Sequence, residues 1–202
     1  YTSLLWEAIN KTGGAADYIS EIVLEKAVIK SGQINFGKKA YHTLFLPGVK
    51  SMHVTSLKKI QEFVRQGGRV YCIDEIPFKS LGLMDKDLRD AEVQDWIKKI
   101  QELRNGVFKL VHKPEDDQFL EWYDELQKQE GLSRYLTIER PNRYFMQNRY
   151  MRDDGSEFYF FQNAHRYQSH TTRLQFDRSV VKNKYGWVWD LDAGNRFRLA
   201  LD

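Results

Sequence analysis

The stretch 41-YHTLFLPGVKSMHVTSLKKIQEFVRQGGRVYCI-73 decides how this chain is read. Leu44, Phe45 and Leu46 form an apolar strand core that stops at Pro47-Gly48. Ser51 is then a candidate N-cap for a helix whose Val54, Leu57, Ile60 and Val64 fall on one face. Gly67-Gly68 ends that helix, and "RVYCI" follows as a continuous apolar run with no polar alternation. Such a run is what a parallel strand shows when its sheet is covered on both faces. The stretch therefore reads as a strand, a crossover helix and a parallel strand.

The pattern continues on both sides. Leu4, Leu5, Ala8 and Ile9 already have helical spacing at the start of the chain. Val93, Trp96, Ile100 and Leu103 predict a second helix after the central strand, with Gly106 just beyond it. "VFKLV" at 107–111 is the next strand. Phe119, Tyr123 and Leu126 mark a third helix stopped at Gly131. Alternation of this kind predicts an open, mostly parallel α/β sheet flanked by helices over residues 1–132.

Past residue 132 the period changes from 3.6 to two. "NRYFMQNRYMR" and "EFYFFQN" are strand-like runs joined by Asp153-Asp154-Gly155, a hairpin turn signal. "TTRLQF", "GWVWDL" and "NRFRLAL" continue the alternation without a helical segment between them. Residues 133–202 therefore read as an antiparallel, β-sandwich-like segment.

Composition narrows the classes. The chain has 202 residues, 42% of them apolar, which is enough for a packed core. The net charge of +3 is too small to imply a nucleic-acid partner. No apolar run approaches the roughly 20 residues of a membrane span, and no signal peptide is visible at the start. The chain opens inside an amphipathic helix without Met, which reads as a fragment of something longer. A single Cys excludes an internal disulfide and any Cys-based zinc site.

Each candidate chemistry in the sequence has an ordinary explanation beside it. A nucleophilic Cys in an α/β fold of this kind needs a tight strand-to-helix turn with small neighbours. Cys72 instead lies inside a strand, before Ile73, Asp74 and Glu75, and reads as an inert, buried thiol. Asp74 and Glu75 end that strand, but neighbours on a strand point to opposite faces and do not converge on one bond. No glycine-rich phosphate signature follows any strand. His42, His53, His112, His165 and His170 are scattered, and the spacing of the last two matches no common zinc site. The acidic turns "RDDGSE" and "DLDAGN" lack the oxygen count of a calcium loop. These readings assign no catalytic residue, metal or cofactor to the chain. Trp187 and Trp189 share one strand face in "YGWVWDLDAG". Both are expected in a sandwich core; the alternative makes them an exposed carbohydrate contact.

Several stretches together resemble one family. "DYISEIVLEKAVIKSGQINFGKKAYHTLFLPGV", "SLKKIQEFVRQGGRVYCIDEIPFKSLGL", "YFMQNRYMRDDGSEFYFFQNAH" and "WVWDLDAG" are similar, in this order, to elements of large α-L-rhamnosidase-type glycoside hydrolases. The resemblance implies a class I glutamine-amidotransferase-like, flavodoxin-like α/β part that has lost its thiol chemistry. It also implies that the catalytic carboxylates belong to a barrel outside this chain. The expected role is a non-catalytic accessory or structural region of a carbohydrate-active hydrolase, with that barrel as partner. A carbohydrate-binding module is the alternative, and carbohydrate and a second copy of the chain are further candidate partners. The parent is expected to be a secreted or periplasmic bacterial protein.

Overall fold

A computed structural model describes residues 1–199. In chain order the elements are α1 (Thr2–Lys11), α2 (Glu21–Lys26), β1 (Val28–Lys30), β2 (Gln33–Phe36), β3 (Lys39–Tyr41), β4 (Thr43–Pro47), α3 (Val54–Arg65), β5 (Arg69–Ile73), α4 (Lys86–Gln101) and β6 (Val107–Val111). A 3-10 turn over Asp116–Gln118 leads into α5 (Phe119–Glu130), followed by β7 (Leu136–Ile138), β8 (Phe145–Met151), β9 (Glu157–Asn163), β10 (Leu174–Phe176), α6 (Arg178–Val181), β11 (Gly186–Trp189) and β12 (Arg196–Leu199). Two compact units result. One is Asp17–Glu115; the other joins Ser3–Ala16 to the chain from Asp116 onward.

Within Asp17–Glu115, β4, β5 and β6 form a parallel sheet in that order, with β5 in the centre. The two crossovers run in the same direction across it. Val70 and Cys72, which share a face of β5, pack in one cluster with Leu57, Ile60, Phe63 and Val64 of α3 and with Val93, Ile97 and Ile100 of α4. Both crossover helices therefore cover the same face. This corrects the expected open, mostly parallel flavodoxin-like sheet: only three strands are parallel, and their order never reverses. A doubly wound sheet needs a reversal of strand order to send helices to its second face. The remaining strands of this unit, β1, β2 and β3, form a separate antiparallel meander whose Ile29 and Ile34 join the same core.

The local signals explain why these elements form where they do. The apolar face of α3 is the one its spacing predicts, with Leu57, Ile60 and Val64 essentially inaccessible. Its N-cap is His53 rather than Ser51; the His53 N–H donates to Glu21 Oε2 at 2.9 Å, while Ser51 forms a β-bridge with Lys79. A carboxylate from α2 thus takes up a donor at the positive end of α3. At the entry to β6, a Cβ on Gly106 would lie 2.4 Å from both Gly68 O and Val64 O. Only glycine lets the α4–β6 connection pass that close to the end of α3.

The second unit starts with α1, which buries Leu5, Ala8 and Ile9 as the periodicity requires. The backbone after α1 hooks onto much later strands. Gly13 O accepts the N–H of Tyr135 at 3.0 Å, and Gln147 Nε2 donates to Gly14 O at 2.7 Å and Asn10 O at 3.2 Å. α5 buries Phe119, Tyr123 and Leu126 and ends at Gly131, whose φ of 60° is the left-handed cap expected of glycine. The Asp153-Asp154-Gly155 turn joins β8 and β9 into a hairpin of seven paired positions.

The antiparallel part is not a sandwich, which corrects the second half of the expectation. β7–β10, β8–β9 and β11–β12 are three separate two-stranded pairs. A small core of Leu136, Ile138 and Phe145, flanked by Tyr159, Phe161, Leu174 and Phe176, joins the first two pairs. A sandwich requires two sheets with facing apolar layers. Here β11–β12 carries exposed residues on both of its faces: Trp187 and Trp189 on one, Val188 and Phe197 on the other. The short helix α6 also interrupts a stretch expected to be all strand, with Asp177 capping it through Ser179 N–H.

Candidate functional site

Three places bring chemistry-bearing side chains together. The first is the C-terminal edge of the parallel sheet. After β5 the chain turns at Asp74, whose φ of 65° is left-handed and unusual for a non-glycine residue. Its N–H donates to Val111 O at 2.8 Å, and its Oδ1 accepts the Lys113 N–H at 3.0 Å. His112 Nδ1 lies 3.9 Å from that oxygen. Asp74 therefore ties the end of β5 to the end of β6. Glu75 turns elsewhere, with Oε1 3.1 Å from Lys50 Nζ, beyond the end of β4, while its Oε2 is buried with no hydrogen-bond partner. The two carboxylates bind different neighbours, as expected for adjacent residues.

Cys72 is fully buried inside β5, in register with Leu46 and Leu110. Burial pushes its thiol up to about 12, so almost none is thiolate at neutral pH. The strained position at the end of the strand belongs to Asp74, two residues later.

The histidines stay apart. His42 meets Gln33, and His165 packs edge-on against Tyr144 while its Nδ1 accepts the N–H groups of Tyr167 and Gln168. His170 Nε2 lies 3.0 Å from Arg140 O. Among the described residues no three His, Cys, Asp or Glu side chains are grouped so as to hold a metal ion. In the acidic turns, Asp154 accepts from the backbone and hydroxyl of Ser156, which lowers its pKa. Asp190 accepts from the N–H groups of Asp192 and Ala193. Each of these two carboxylates closes its own turn.

The second place is the β11–β12 hairpin. Trp187 and Trp189 are 48% and 61% exposed, against the expectation that both pack a core. The register explains it: Trp187 pairs with Arg198 and Trp189 with Arg196, so guanidinium groups fill the places where apolar cross-strand partners would stand. The Arg196 Cζ sits 5.0 Å from the Trp187 ring centre, and the Arg198 Cζ 4.5 Å from that of Tyr185. Tyr185, Arg198, Trp187 and Arg196 thus make a ladder of rings and cations. Trp189, at its end, touches Phe158 of β9 only edge-on, with ring centres 6.5 Å apart.

The third place was not foreseen. On the inner face of β8–β9, Glu157 Oε2 accepts from Arg149 Nε at 2.8 Å and from the Tyr159 hydroxyl at 3.0 Å, and its Oε1 accepts from Lys184 Nζ at 2.6 Å. The Glu157 side chain is only 9% exposed. Burial alone would raise its pKa; the bonds from Arg149 and Lys184 outweigh that and hold it at about 2. Burial raises the Tyr159 phenol above its ordinary value. Arg149 also stacks on Tyr135, with its Cζ 3.7 Å from the ring centre. A sequence signal existed: counting outward from the Asp-Asp-Gly turn places Arg149, Glu157 and Tyr159 on the face that also carries Phe145 and Phe161. Two opposite charges on a face that also carries Phe145, Met151 and Phe161 mark a pair.

No family model matches this chain, and neither a curated protein nor a solved structure matches it. Among the described residues no helix is long and apolar enough to cross a membrane.

Proposed function

We propose that this chain is a non-catalytic region of a carbohydrate-active hydrolase of the α-L-rhamnosidase type, supporting a catalytic barrel that the chain does not contain. One observation carries the reading. Where an α/β sheet carries a nucleophile, it stands at a strained turn directly after a strand. Here that turn is occupied by Asp74, whose carboxylate is taken up by the Lys113 N–H, and the only thiol is sealed two residues earlier. A position suited to chemistry serves as a tie between strand ends. The stretches that carry the resemblance include β4, most of α3, β5, the β8–β9 hairpin and part of β11.

The exposure of Trp187 and Trp189 favours a second role beside this one, contact with carbohydrate through the β11–β12 hairpin. Incubating the purified chain with aryl glycosides, an aryl α-L-rhamnoside among them, tests the non-catalytic reading. No turnover is expected. Turnover that disappears in Asp74→Asn or Glu75→Gln would overturn it.

A further inference from the structure

The ladder on the β11–β12 hairpin has a chemistry that neutral sugar stacking does not need. Arg196 and Arg198 are exposed, and neither has a carboxylate partner among the described residues. Two positions apart on one strand face, they stand roughly 7 Å from each other. Each guanidinium is held by a ring, Trp187 for Arg196 and Tyr185 for Arg198, so less side-chain freedom is lost when its N–H groups bind. A planar guanidinium presents paired donors that match a carboxylate. Beside them, Trp189 is 61% exposed, and among the described residues its ring contact, with Phe158, is edge-on. An indole face accepts the apolar face of a pyranose ring.

The geometry points to an acidic glycan as the ligand of this hairpin: a chain of uronic-acid residues with one sugar stacked on Trp189 and carboxylates of neighbouring sugars paired with Arg196 and Arg198. The inference rests on the carbohydrate-contact reading above and specifies the class of sugar. Charge complementarity selects this occupant. The ladder is cationic, and its two guanidinium groups match carboxylates carried on neighbouring sugars. A base-stacking surface also uses several open rings in succession; here Trp187 and Tyr185 are already taken by guanidinium groups.

Calorimetric titration of the full 202-residue chain tests the inference. The probes are hexasaccharides of mannuronate, guluronate, galacturonate and alternating glucuronate, each beside its carboxyl-reduced counterpart, with a single-stranded oligonucleotide of similar charge. At least one uronate hexasaccharide should bind while its reduced counterpart binds about tenfold more weakly or not at all. Arg196→Ala with Arg198→Ala should weaken the uronate complex about tenfold or more and remove most of its salt dependence. Arg196→Lys with Arg198→Lys, which keeps the charge and loses the paired donors, should recover only part of the affinity. Trp189→Ala should weaken binding while leaving the melting temperature close to that of the parent chain. Equal binding of uronate and reduced sugars, lost only in Trp189→Ala, would overturn the acidic class and leave carbohydrate contact standing. Absence of binding to every sugar would overturn both. Tighter binding of the oligonucleotide, or uronate binding that survives the paired arginine variant, would overturn the assignment.

Discussion

Replacing Glu157 by Gln removes one negative charge from between Arg149 and Lys184 while keeping nearly the same shape. Glu157 titrates at about 2 in the folded chain against an ordinary 4.5. That difference corresponds to about 3 kcal/mol of folding free energy, on the scale of about 1.4 kcal/mol for each pH unit. The carboxylate itself is nearly covered, but Lys184 is 38% exposed, so its share is screened and about 2 kcal/mol is the better expectation. The sign follows from a depressed folded pKa. The stabilisation is present in full above pH 4.5 and drains away as pH falls towards 2. Urea unfolding of the parent chain and of Glu157→Gln should therefore differ by about 2 kcal/mol at pH 7. The difference should shrink steadily below pH 4.5 and be small near pH 2, where about half of the parent molecules carry a neutral carboxyl at the same place. Asp17, Asp90, Asp154 and Asp177 also have lowered pKa values, but they titrate in both proteins and cancel in the comparison. A gap that stays constant from pH 7 to pH 2 would refute the reasoning, because it would show that shape rather than charge holds this corner together.

Two further outcomes are expected. Cys72, buried in β5 with its thiol pushed up to about 12, should react with a disulfide reagent only as fast as the chain opens; labelling of the native chain at the denatured rate would show that β5 is not the centre of a covered sheet. Gly106→Ala, which drives a Cβ to 2.4 Å from two backbone oxygens, should cost about 1–3 kcal/mol in a thermal melt. Gly155→Ala, with open space around it and a φ of 79°, should cost only about 1 kcal/mol, and a Gly106 variant no worse than that would contradict the close passage at β6.

Sequence reading succeeded where the signal is local. β6 spans 107–111 as its apolar run predicts, α5 stops at Gly131, and the Asp-Asp-Gly turn joins β8 to β9. Each depends on residues a few positions apart. It failed where a partner had to be known. The run Val70–Ile73 is buried throughout, yet burial of a strand does not say how many strands stand beside it or on which face the crossover helices lie. The alternation in "GWVWDL" locates β11 but does not choose its buried face, because that depends on the arginines of the facing strand. Alternation in "NRFRLAL" put Arg196 and Arg198 on the face of the tryptophans, which was legible once the two runs were taken as a hairpin; Ala200 and Leu201 lie outside the described residues. Glu157 has no catalytic spacing to any neighbour in the sequence; its signal is a charge that shares a strand face with Phe145 and Phe161.

The hook between the end of α1 and the later strands sets an order of events during synthesis. Gly14 and its partner Gln147 are 133 positions apart, a gap that a ribosome takes about 7–27 s to fill at about 5–20 residues per second. A ten-residue helix such as α1 is not stable alone in water. Leu5, Ala8 and Ile9 therefore emerge before the later strands of their own unit, while Asp17–Glu115 holds all three parallel strands and both crossover helices and is complete before them. The unit Asp17–Glu115 matures before the unit that α1 belongs to. During that interval α1 waits for the later strands that its own unit supplies.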